Sequence, residues 1–311
     1  MLQGLVENHG DGWAWFLEQL ALVFEKVPVS APPVETGAPS FLRAPEPMPQ
    51  QAEAAGPLLE AARLLGKRTA EMHLALSSHT DNPGFSPEPF TAEDLSADAE
   101  RIEAQLRSTL EALRPQLANL DEATADSAAL LLSRRVELLG RARSIADEKA
   151  AGLRIRIHGD FHLGQTLRTG RDGEPADFVL LDFEGEPARS LAERRRKQSP
   201  LKDVAGMIRS FSYATHAALD RYLERSGEGS QAAASESLGA WARWLENAAS
   251  AGFLASYRET IAINPALLPP VDQAQALFEA YLLEKALYEL LYELNNRPAW
   301  LRIPISGILS L

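Results

Sequence analysis

The sequence predicts a helix-dominated α+β fold, and three observations carry that prediction. Apolar residues recur at helical spacing through most of the chain, the pattern changes only at Leu153–Ile157, which alternates at period two, and at Phe178–Leu181, a short apolar run, and the polar residues suited to chemistry crowd into the loops after those two stretches. The 311 residues, 45% apolar and 24% charged, suffice for one large domain or two and can bury about 75% of the unfolded surface. Cysteine is absent, which excludes thiol nucleophiles, disulfides, Cys–zinc sites and iron–sulfur clusters. A net charge of −12 argues against nucleic acid or a polybasic membrane contact. No apolar run approaches the roughly 20 residues of a membrane span, and Glu7 and Asp11 interrupt any signal-peptide plan. The sequence reads as a cytoplasmic protein whose partners are small molecules or proteins.

The elements follow in order. Asp11–Val27 is an amphipathic helix, N-capped by Asp11, with Trp13, Phe16, Leu17, Leu20 and Phe24 at helical spacing. Pro28–Pro57 holds eight prolines and reads as a flexible Pro-rich connector (28–57). Leu58–Ser77 resumes the helical period, and His73 and His79 near its end read as surface or capping groups. Thr91–Ala151 reads as two antiparallel helices, broken near Arg114-Pro115 and Asn119–Asp121, with Thr91 as cap and Glu93 and Asp94 in the first turn. Leu153–Ile157 and Phe178–Leu181 read as strands flanking the turn at Thr169–Gly173. Helices return at Pro200–Arg225, Ala232–Ser256 and Asp272–Asn295, the first started by Ser199-Pro200.

The chemistry concentrates in His158-Gly159-Asp160-Phe161-His162-Leu163-Gly164-Gln165 and, beginning seventeen residues after Gln165, Asp182-Phe183-Glu184-Gly185-Glu186. Phosphoryl transfer from a nucleotide needs a base to orient the acceptor hydroxyl and oxygen ligands to hold magnesium against the phosphates. Asp160 suits the first role, Gln165 and Asp182 the second. Two alternatives stay open on the residues alone. His158, Asp160 and His162 alternate like ligands of a zinc or iron hydrolase, and both loops are also compatible with plain turns in which Gly159 and Gly164 permit tight backbone.

HGDFHLGQ followed by LDFEGEP resembles the catalytic and metal loops of the aminoglycoside-phosphotransferase-like kinases and, more narrowly, of the maltokinases. The likeness extends through AERRRKQSPLKDVAGMIRSF (Ala192–Phe211) and YELLYELNNRPAWLRIP (Tyr288–Pro304). The resemblance implies the C-terminal lobe of a protein-kinase-like fold over residues 11–311, with the catalytic and metal loops at 153–190. It implies the reaction ATP + maltose to maltose 1-phosphate + ADP, with magnesium, in α-glucan, glycogen or trehalose metabolism. Asp160 is then the catalytic base, Gln165 stands where relatives often carry Asn, Asp182 holds the metal, and His158 and Glu184 lie on the substrate side. Asp203, favoured by the helix dipole in the first turn after Ser199-Pro200, takes a structural role.

A helical wheel puts Tyr281, Lys285, Tyr288 and Tyr292 within about 60° of one another, opposite Leu283, Leu287, Leu290 and Leu294. That stripe fits a sugar, whose C–H faces lie on rings while its hydroxyls bond charged groups, or simple packing with wet hydroxyls. The resemblance selects the sugar and names Lys285, Tyr288, Glu289, Tyr292 and Arg297. Arg194–Lys197 is either a solvated loop or a local field for an anionic substrate complex. Residues 1–10 resemble the hinge segment between the lobes of such kinases, with Gln3 and Leu5 against the nucleotide. The expectation is a chain without its N-lobe, nearly inactive alone, whose partner is a separate N-lobe or a trehalose synthase. The alternative is a non-catalytic sugar-binding remnant or partner subunit.

Overall fold

Asp11 opens the first helix as predicted: its Oδ1 accepts the Ala14 N–H at 2.7 Å, a cap that contributes about 1 kcal/mol. The computed structural model describes residues 5–28, 33, 39–42, 50–148, 152–170, 176–226 and 232–311. In chain order the elements are α1 (Gly12–Phe24), α2 (Gly56–Leu76), β1 (Glu88–Pro89), α3 (Ala92–Leu113), α4 (Glu122–Ser133), α5 (Arg135–Ser144), β2 (Leu153–Arg154), β3 (Thr166–Thr169) and β4 (Asp177–Leu180). Then come α6 (Leu191–Arg194), α7 (Leu201–Ser226), α8 (Ala232–Ile261), α9 (Val271–Asn296) and α10 (Arg302–Leu309). Two interleaved units emerge. The first comprises Met1–Ala75, His158–Arg194 and Ser210–Ile263, and the second Leu76–Ile157, Arg195–Arg209 and Asn264–Leu311.

The first unit is centred on a run of rings. Phe16 of α1 lies 5.3 Å from Phe211 of α7, Phe211 lies 5.8 Å from Phe253 of α8, and Phe253 stacks on Tyr257 at 6.3 Å. Each such ring stabilises by about 1.5–3 kcal/mol through burial. His73 belongs to this core rather than to the surface: it is fully buried and its Nδ1 shares a 2.9 Å hydrogen bond with the Tyr257 hydroxyl. Helical spacing placed it at an element's end, and only the partner on α8 makes its burial affordable. Much of the Pro-rich connector lies outside the described residues. Its described parts dock: Phe41 is buried against Tyr257, the Phe41 carbonyl accepts from Arg258, and the Pro28 carbonyl accepts from Trp241 Nε1 at 3.1 Å. Gln50–Ala55 is a 3-10 helix running into α2, which begins at Gly56.

The strand that precedes 178–181 is not Leu153–Ile157 but an unpredicted one at Thr166–Thr169. β4 pairs antiparallel with β3, which directly follows the first polar loop; the turn expected at Thr169–Gly173 lies in part outside the described residues. Residues 9–11 lie along β3 as well: the His9 N–H donates to the Arg168 carbonyl, the Arg168 N–H donates to the Gly10 carbonyl, and Asp11 bridges Leu167.

The second unit packs α3 against α9 and α5. Thr91 and Asp94 form a reciprocal capping box at the start of α3. The tract expected as two helices holds three, because the backbone also turns at Arg134 between α4 and α5. In Leu153–Ile157 the alternation is real, Ile155 and Ile157 being buried. Yet only Leu153 and Arg154 form a strand, paired with Glu88–Pro89, while Ile155 bridges Gln198. The short α10 escapes periodicity because Pro304 and Gly307 interrupt its pattern. No helix among the described residues is long and apolar enough to cross a membrane.

Candidate active site

The two polar loops meet inside the first unit, and Leu181 is where they join. Its carbonyl accepts from His158 Nε2 at 2.6 Å, and its N–H donates to the Gln165 carbonyl at 2.9 Å. A carbonyl can only accept, so His158 carries its proton on Nε2; Nδ1 is then the acceptor that faces the Asp160 N–H at 3.4 Å. The buried imidazole sits 5.1 Å from Phe161 and 5.0 Å from Phe183, one ring from each loop. Gly159 and Gly185 touch: a Cβ on Gly159, whose φ is +84°, falls 3.3 Å from Gly185 Cα. Both positions hold positive φ, +84° and +76°, which glycine adopts without strain.

These contacts bring Asp160, Gln165 and Asp182 to neighbouring turns. Gln165 Nε2 lies 3.2 Å from Asp182 Oδ2. Asp182 holds φ 61°, a left-handed backbone otherwise left to glycine among the described residues, a strain of the kind held at functional positions. Asp160 is half-buried, and Asp182 and Glu184 are exposed. The turn Leu163–Gln165 is pinned from two sides. The Leu163 N–H donates to Ser210 Oγ of α7 at 3.0 Å, and Gly12 of α1 packs so closely that a Cβ there falls 2.2 Å from Thr166 Oγ1. Sequence reasoning gave no role to Gly12, or to Ser210 although it lies within the Ala192–Phe211 stretch.

Gln165 donates from Nε2 to the Asp182 carboxylate; with the amide turned to present Oε1, the two oxygen ligands, reachable from solvent, would hold a hard divalent cation such as magnesium, supplying charge neutralisation for phosphate oxygens. The zinc or iron alternative fares differently. Both ring nitrogens of His158 face backbone partners, His162 Nδ1 accepts the Gly164 N–H at 3.1 Å, and no group of three or more His, Cys, Asp or Glu gathers to hold a metal among the described residues.

The other predicted residues are scattered. Gln3 lies outside the described residues, and Leu5 is 97% exposed. In the second unit the leucine face of α9 is buried at Leu283, Leu287 and Leu290, while on the tyrosine stripe Lys285 and Tyr288 are half-buried and Tyr292 is exposed; Tyr281 departs from its stripe. Tyr281 is buried and donates its hydroxyl to Asp98 at 2.9 Å. Glu289 is buried and accepts from Arg209 Nε at 2.8 Å, and desolvation raises its carboxyl above the ordinary range. Lys285 lies 5.0 Å over the Tyr288 ring. Tyr292 is half exposed, and the Arg297 guanidinium lies 5.5 Å from its ring and 4.7 Å from that of Trp300 while bonding Glu293 with both arms. Asp203 is buried in the first turn of α7. The basic run is largely occupied: Arg194 reaches the Glu184 carbonyl, Arg196 lies near Asp98, and Lys197 bonds Glu88 and the Pro83 carbonyl.

No family model matches the sequence. The chain is 28% identical over 254 residues to a glucosamine kinase of Streptacidiphilus jiangxiensis, covering 79% of this chain and 48% of that protein. It is 28% identical over 258 residues to a glucosamine kinase of Mycolicibacterium smegmatis, covering 82% and 54%. The chain thus spans about half the length of the curated relatives it matches. Among solved structures it superposes on a glucosamine kinase in complex with glucosamine, ADP and inorganic phosphate with a TM-score of 0.66 at 24% identity, over 97% of this chain and 60% of that one. A second crystal form of glucosamine kinase gives 0.67 at 22% identity, over 98% and 57%. The fold is therefore that of the matched part of glucosamine kinase.

Proposed function

We propose that this chain carries the acceptor and metal side of an ATP-dependent sugar kinase whose acceptor is an amino sugar of the glucosamine type. The observation that supports the reading is the junction at Leu181, through which the first loop, carrying Asp160 and Gln165, is tied to the second, carrying Asp182, with Gln165 bonded to Asp182. In this reading Asp160 orients the sugar hydroxyl and receives its proton, and Asp182 and Gln165 hold magnesium. Positioning of this kind contributes about 7–11 kcal/mol to a barrier. An ammonium-bearing sugar suits the exposed carboxylates of Glu184 and its neighbours better than a neutral one does, and relatives of this chain are named for glucosamine. The loop motifs keep maltose as the competing acceptor.

Calorimetric titration of the chain with glucosamine and with maltose, each with and without magnesium-ATP, tests the reading alongside an assay of ADP release. Glucosamine binding that Asp160→Asn weakens or uncouples from ADP release supports it. Preference for maltose moves the acceptor to the disaccharide, and failure to bind either sugar overturns the proposal.

A further inference from the structure

A groove of about 470 Å³ runs between α1 and α7 in the first unit, away from the residues of the two polar loops. One wall is a single face of α1, with Trp13, Leu17 and Glu18; the other is a single face of α7, with Arg221, Tyr222 and Arg225. In a chain of net charge −12 the lining sets two arginines and two aromatic rings around one acid, Glu18. Arg225 is engaged, bonding Glu25 at 2.8 Å and lying over the Tyr222 ring. Arg221 makes no ion pair or hydrogen bond with any described residue.

From this lining we infer a second ligand site, one that takes a phosphate monoester carried on a ring. Guanidinium forks match phosphate oxygens, an indole and a phenol offer faces to a sugar ring or a base, and Glu18 accepts from ring hydroxyls. The volume falls within the range of small-molecule pockets, roughly 300–1,000 Å³. Two sources share this chemistry: a sugar phosphate, which is the product class of the reaction proposed above and rests on that reading, and a nucleotide, which does not.

The place of the groove gives the site a consequence. Its two walls are the helices that pin the Leu163–Gln165 turn, α1 through Gly12 and α7 through Ser210. A ligand that changes the spacing of α1 and α7 acts on the turn that presents Gln165, and any change it makes in metal affinity is matched by an equal change that the metal makes in its own.

The test titrates the full chain with glucosamine 6-phosphate, AMP and inorganic phosphate by calorimetry, in the presence of saturating glucosamine. Expected is binding of at least one of the two ring monoesters, weakened tenfold or more by Arg221→Glu and by Trp13→Leu and unchanged by Asp160→Asn. Circular dichroism of both groove variants establishes that they fold, and their unaltered glucosamine affinity separates this site from the first. Which monoester binds identifies the source. Binding of inorganic phosphate as tight as that of either ring compound, binding indifferent to Arg221→Glu, or no binding at all overturns the inference. None of these outcomes bears on glucosamine binding, whose failure overturns the acceptor proposal alone.

Discussion

His158 donates its Nε2 proton to the Leu181 carbonyl at 2.6 Å, and through that bond the first polar loop holds the second. The ring is buried between Phe161 and Phe183, so water cannot replace the bond. His158→Phe keeps the stacking and leaves a carbonyl unsatisfied, at about 1–3 kcal/mol. Urea unfolding measures that loss, and magnesium-nucleotide affinity should fall with it. Unchanged stability and affinity would mean that the clamp is dispensable.

Asp182 holds a left-handed backbone. Asp182→Gly and Asp182→Ala both remove the carboxylate proposed to hold magnesium, but only glycine accepts that conformation freely, so the glycine variant should be the more stable of the two by about 1 kcal/mol. Equal melting temperatures for the pair would show that the backbone relaxes once the carboxylate is gone.

Gly12 leaves no room for a side chain, since a Cβ falls 2.2 Å from Thr166 Oγ1 and 2.9 Å from the Leu163 carbonyl. Gly12→Ala is expected to cost about 1–3 kcal/mol as an overpacked contact. Because the strain falls on the turn carrying Gln165, magnesium affinity should weaken in parallel; calorimetry on the same variant checks this.

Glu289 separates a structural from a substrate role. Its partner Arg209 is also buried. Arg209→Met strands the acid and is expected to cost about 3–5 kcal/mol, whereas replacing both by apolar residues of similar volume is near neutral. A double variant that folds well and binds glucosamine normally assigns the pair to the core; one that folds and loses the sugar restores Glu289 to the substrate side.

Acid sensitivity has identifiable sources. Glu103, bonded by Arg143 and Arg107, and Glu137, bonded by Arg134, are each held down to about 2 from 4.5. A depressed folded-state value means that the stability they contribute is complete above about pH 4.5 and lost as pH falls toward 2. Melting temperature against pH at low salt should therefore fall along that limb, and Glu103→Gln with Glu137→Gln should flatten it. High salt should flatten it too, because these pairs are exposed.

By itself the sequence determined the elements whose causes are local: the Asp11 and Thr91 caps, the helical runs, the alternation of Ile155 and Ile157, and the placing of Asp160, Gln165 and Asp182 in two motif loops. Each depends on neighbours within a few positions, and periodicity reports such neighbours directly. Tertiary structure alone decided which partners those residues meet. His73 was turned inward by Tyr257, Tyr281 and Glu289 were claimed by Asp98 and Arg209, and β4 was given to β3. A buried polar group's place is set by whichever distant donor or acceptor satisfies it, and one strand's spacing does not name the strand that completes its hydrogen bonds.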